Sequence, residues 1–201
     1  MIKKDTIHAY AWWEVVPTEV AQREEKKIWT NCSSVVLMSF RENWKIVRVL
    51  VKKSRIWAEK IEEVREEYRK LRYHLGDIIP LQAFITEKRE DYWGREMVSA
   101  FCSPVTIAYD IFASAENFEF LKRELDQNQD LQNDIDLFIS GYRKLKDVWF
   151  HIDLWWDENL IITREWRLKY IDSFVIDMTW RKSLLPLSEA RFVQLEALMS
   201  L

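Results

Sequence analysis

Glycine is nearly missing from this sequence. Three residues of 201, Gly76, Gly94 and Gly141, stand where average usage would put about 14. No two lie near each other, so neither G-x-G-x-x-G nor G-x-x-x-x-G-K-[ST] occurs. Dinucleotide and P-loop phosphate binding by those loops are thereby excluded. The nucleophile elbow G-x-S-x-G is missing too. Cysteine is scarce: Cys32 and Cys102 permit at most one disulfide and form no C-x-x-C. Without that pair or an H-E-x-x-H, the usual zinc patterns fall away. No PLP, haem or flavin signature is visible, and the expectation is no metal and no cofactor. No run approaches 18 apolar residues, so no membrane span is expected. The opening MIKKDTIHAYAWWEVV is basic but lacks the apolar core of a signal peptide. A reducing, cytoplasmic setting is the expectation.

Aromatic residues are abundant. The 11 tryptophans outnumber glycine and proline together, and 7 tyrosines and 10 phenylalanines join them. At 48% hydrophobic and 31% charged, the composition is that of a folded protein, read as a single domain over 1–201. The net charge of −3 conceals a gradient. Residues 41–76 carry 11 basic and 6 acidic side chains, whereas residues 77–160 carry 8 basic and 17 acidic. Such asymmetry suits either a charged partner or two solvated faces of opposite sign.

The patterning predicts an α+β fold: an antiparallel sheet of about five or more strands with helices packed mainly on one face. Pro17 and Thr18 read as opening a short helix that ends near Trp29. SVVLMSFRENWKIVRVLVKK, rich in β-branched residues, reads as a hairpin over 35–52, Val35–Phe40 pairing with Lys45–Lys52; a continuous helix is the competing reading. The clearest helix is 54–75, where Trp57, Ile61, Val64, Tyr68, Leu71 and Leu75 form one apolar stripe. Ser54 is placed to cap its start and Gly76 its end. Ser114 is the expected cap of a helix over SAENFEFLKRELDQ, and DLQNDIDLFISGYRKLKD reads as another. From Val148 the period changes to two, and an antiparallel meander over 148–180 is predicted. A last helix is expected to start at Ser188.

Three functions compete. In VWFHIDLWWDE, strand parity puts Trp149, His151, Asp153 and Trp155 on one face, opposite Phe150, Ile152 and Leu154. Exposed side by side, Trp149 and Trp155, with Arg167 across the meander, would form a partner-binding surface. That reading, a non-catalytic interaction, regulatory or inhibitor protein binding another protein through aromatic and acidic residues, comes first. The alternative is a metal- or acid/base-assisted hydrolase acting on phosphodiesters through His151, Asp153 and Asp157. A third is RNA or single-stranded DNA binding through Arg41, Lys45, Arg48, Lys52, Lys53 and Arg55, with interleaved aromatics. The stripe on 54–75 is also compatible with a homodimer, although a stripe of this kind more often packs on its own sheet.

Overall fold

The hairpin of β-branched residues sets the first half of the fold. In the computed structural model, β3 (Ser34–Glu42) and β4 (Lys45–Trp57) pair antiparallel, with Val35 opposite Lys52 and Phe40 opposite Val47. The expected hairpin pairing over 35–52 is thus observed, and the continuous-helix reading is excluded. The described residues are 19–22, 28–29, 34–42, 45–103, 105, 107–155, 159–171 and 178–199; side chains are described from Arg48 onward, apart from those of 178–185.

The chain divides into two compact units, Met1–Glu66 with Leu81–Pro104, and Glu67–Pro80 with Val105–Leu201. In the first, β1 (Glu19–Gln22), β3, β4, β6 (Arg95–Cys102) and β5 (Gln82–Arg89) form one antiparallel sheet in that order, and β2 (Ile28–Trp29) also pairs with β3. At the described ends of the helix expected before Trp29 the chain is strand instead, with Glu19 opposite Arg41 and Ile28 opposite Val35; residues 18 and 23–27 lie outside the described set. The free edge of β3 overrides local helix propensity there. β6, central between β4 and β5, is buried from Met97 to Cys102.

A bulge follows Lys53, where the Ser54 hydroxyl donates to the Val98 carbonyl at 2.7 Å and accepts from the Ile56 amide. Ser54 thus belongs to β4 and caps no helix. Buried Arg89 donates to the Ser54 carbonyl and to Asp91, and this guanidinium holds the Asp91 carboxyl below its ordinary pKa.

The chain crosses between the units three times, after Glu66, Pro80 and Pro104, the first crossing falling inside α1 (Ile61–Leu75). The helix expected over 54–75 starts only at Ile61, because Trp57 of its expected stripe is the last residue of β4; Val64, Leu71 and Leu75 of the stripe are buried within the chain, and Gly76 ends it at φ 54°.

The second unit holds α2 (Ala115–Leu125), α3 (Gln129–Asp147), α4 (Met178–Leu198) and a separate three-stranded sheet, β7 (Ile107–Asp110), β8 (Leu160–Thr163) and β9 (Leu168–Tyr170). Ser114 caps α2 as expected, accepting from the Asn117 amide at 3.2 Å. One core joins these elements, with Phe138, Tyr142, Phe192 and Leu195 at its centre. Gly141 lets α3 approach the end of α1: a Cβ there would sit 2.3 Å from the His74 carbonyl oxygen. α4 begins ten residues before Ser188 and passes through Pro186.

The fold is α+β with antiparallel sheets, but the strands are divided between two sheets. The expected meander over 148–180 does not form. Among its described residues only β8 and β9 are strands, Met178–Trp180 is already helical, and residues 156–158 and 172–177 lie outside the described set.

Candidate functional site

Helix α3 decides the conformation of the segment that follows it. The Trp149 amide donates to the Lys146 carbonyl, and the Phe150 amide donates to that of Leu145, both at 2.9 Å. This is a Schellman ending, with Phe150 folded onto the core and Trp149 in the left-handed position that glycine usually takes. Trp149 has φ 60° and is 84% exposed.

The amides of Asp153, Leu154 and Trp155 are taken by side chains rather than by a neighbouring strand. The Asp153 amide donates to the Tyr170 hydroxyl at 3.2 Å, and that of Leu154 to the Ser188 hydroxyl at 3.1 Å. The Trp155 amide turns back to Asp153 Oδ1 at 2.8 Å. The alternation of burial nevertheless survives in part, with Ile152 and Leu154 in the core and His151 and Asp153 half-buried.

The loop is closed from its far end. Asn159 is buried at the start of β8, where its Nδ2 donates to the Asp153 carbonyl at 2.9 Å. Its own carbonyl accepts from the Ile171 amide, beyond β9. Arg191, on α4, donates through Nη1 to the carbonyls of Leu154, at 2.6 Å, and Trp155. Its guanidinium lies over the Trp155 ring, 5.2 Å from the centroid, and over Phe112 at 4.9 Å.

Arg167 does not cover either tryptophan. It makes a two-pronged pair with Asp134 of α3, both bonds 2.7 Å, and the Leu168 amide donates to the same carboxylate. The hydrogen bond to Asp134 is the main cause of the raised Arg167 pKa, with burial opposing it. Neighbouring Lys169 is shifted down, by burial first and then by Arg167.

The sequence-predicted residues therefore separate. His151 and Asp153 share the loop with Trp155, Trp149 stands on the turn before it, Arg167 is bound to α3, and Asp157 lies outside the described residues. Among the basic candidates, Arg41 is on β3 and Lys45 on β4. Arg48 and Arg55 are exposed, while Lys52 and Lys53 are half-buried. The pleat sends Arg48 and Lys52 to one face and Lys53 to the other, so these residues form no single stripe.

Sequence reasoning missed Asn159, Tyr170, Ser188 and Arg191. For Asn159 the signal was the order His151-x-Asp153-Leu154, then Asn159, then an apolar strand; the other three are recruited by tertiary structure and leave no local trace.

Among the described residues, no three His, Cys, Asp or Glu side chains cluster as metal ligands, and no helix is long and apolar enough to cross a membrane. No protein-family model and no curated protein matches this chain.

Proposed function

We propose that this protein carries out nucleotide-dependent phosphoryl transfer, with Asp153 as the base. The observation that carries this reading is the bond from Asn159 Nδ2 to the Asp153 carbonyl, which ties an acid and an amide together at the mouth of the β8–β9 hairpin. The order of residues along the chain is similar to the protein-kinase signature: His-x-Asp-Leu, then Asn before a strand, then a further Asp, here Asp172. In that plan the first Asp accepts the proton of the substrate hydroxyl, while Asn and the later Asp take Mg²⁺. The hydroxyl oxygen then bonds to the γ-phosphorus as the bond to the β-phosphate oxygen breaks and the nucleoside diphosphate leaves.

The chemistry of the donors suits the ion. Asn159 Oδ1 and a carboxylate such as that of Asp172 are hard oxygens, and Mg²⁺ would need only one or two such protein ligands beside phosphates and water. Held there, Mg²⁺ would offset the negative charge of the phosphates.

Three departures accompany this order. Ile152 replaces Arg, five residues rather than four separate Asp153 from Asn159, and no glycine-rich loop exists.

The test is release of labelled phosphate or ADP from Mg²⁺-ATP by the full chain. Activity lost in Asp153→Asn with nucleotide binding retained supports the reading, and unchanged activity in that variant removes it.

A second reading, binding of a protein partner, is supported by Trp149, a large ring held in solvent by a left-handed backbone. Loss of a partner in Trp149→Ala, with an unchanged melting curve, would support it, and retention of every partner would remove it.

A further inference from the structure

We propose that Arg191 is the positioning residue that sets the geometry of Asp153. The inference rests on the phosphoryl-transfer reading above. Residues 150–154 belong to neither helix nor strand, so their conformation depends on bonds from elsewhere. Three of these fix the Asp153 peptide and its neighbour: Tyr170 on its amide, Asn159 on its carbonyl, and Ser188 on the Leu154 amide. Each is a neutral bond. Arg191 adds the only ionised donor among the described contacts to the backbone of this loop, and it holds two successive carbonyls, those of Leu154 and Trp155. Charge-assisted bonds are roughly twice as strong as neutral ones.

The two carbonyls flank the Trp155 amide, the group that donates to Asp153 Oδ1. By fixing the plane of that peptide, Arg191 fixes where one carboxylate oxygen points. Stacking on Trp155 and Phe112 pins the guanidinium in turn. A lysine at 191 keeps the charge but loses the planar fork that bonds and stacks together.

The experiment compares wild type, Arg191→Ala, Arg191→Lys and Arg143→Ala. The last removes an ion pair between Arg143 on α3 and Glu196 on α4 and serves as the control. Two quantities are read: hydrogen exchange at the Leu154 and Trp155 amides, and kcat and KM for Mg²⁺-ATP. In Arg191→Ala both amides should lose protection about tenfold or more while amides of β6 keep theirs. Its kcat should fall between about 10- and 100-fold, the scale of a misplaced reacting group, with KM within about twofold. Arg191→Lys should recover part of kcat, and Arg143→Ala should match wild type.

A purely structural role would lower stability without splitting kcat from KM. A wild-type protein that turns over Mg²⁺-ATP, with kcat unaltered in Arg191→Ala, overturns the inference alone. A wild type that neither binds nor turns over Mg²⁺-ATP overturns the phosphoryl-transfer reading and this inference together.

Discussion

Replacing Trp149 with glycine should stabilise the protein, although it deletes the largest kind of side chain. Trp149 sits at φ 60° in the Schellman ending of α3. For a residue with a Cβ, the left-handed conformation costs roughly 1–2 kcal/mol. The ring is 84% exposed, so its removal forfeits little burial. Glycine brings an entropic cost of its own, roughly 0.5–1 kcal/mol. The net gain is on the order of 0.5–1 kcal/mol, which for a chain of this size raises Tm by about 1–4 °C. Trp149→Ala keeps the Cβ and the strain, so it should melt at or below wild type.

Trp166 provides the contrast. It occupies the left-handed position of the β8–β9 turn at φ 57°, but its ring packs on the core beside Phe120. There the relief is offset by lost burial of roughly 1.5–3 kcal/mol, and Trp166→Gly should destabilise. Thermal melts followed by far-UV circular dichroism compare all four proteins. A Trp149→Gly protein that melts no higher than Trp149→Ala would refute the argument from backbone strain.

Other perturbations have equally definite expected outcomes. Gly141→Ala places a Cβ 2.3 Å from a backbone oxygen that no rotamer change can move, and should cost about 1–3 kcal/mol or more in denaturant unfolding. Asp134→Ala removes two bonds from Arg167 and one from the Leu168 amide. With the Arg167 side chain 43% exposed to screening solvent, the cost should be about 1–3 kcal/mol, and a double-mutant cycle with Arg167→Ala should show coupling above about 0.5 kcal/mol. Burial pushes the Cys102 thiol up to about 11. Its ordinary value is lower, so above that value the unfolded chain loses the proton while the folded protein keeps it; the contribution to stability is full below pH 9 and is lost as pH rises towards 11. Alkylation at pH 8 should accordingly label the Cys102 peptide only after denaturation, as read by mass spectrometry.

Local periodicity carried much of the fold. The 35–52 hairpin, the Ser114 cap, the α1 stripe and the Gly76 ending all follow from spacing, because each is decided by neighbours close in sequence. The stretch from Val148 misled because alternating burial has two causes. A strand produces it, and so does a loop whose every other side chain reaches the core, as Ile152 and Leu154 do. What separates them is the destination of the amides, here Tyr170, Ser188 and the end of α3, and no window of sequence contains that. Two strands were hidden before Trp29 for a similar reason, since pairing with β3 outweighs the helical composition of that segment. The first of the three crossings between the two units falls within a continuous helix, where no linker composition marks it. At the site, His151 and Asp153 stood out as residue types, while the distance of six positions from Asp153 to Asn159 hid a bond that the turn between them closes.

Titration of ATP into the full chain by calorimetry, with Mg²⁺ and again with EDTA, bears most directly on phosphoryl transfer. Binding should require Mg²⁺, persist in Asp153→Asn and weaken at least tenfold in Asn159→Ala. Equal heats with and without Mg²⁺, or no binding at millimolar nucleotide, would contradict the assignment of Asp153 and Asn159 to a phosphoryl-transfer site.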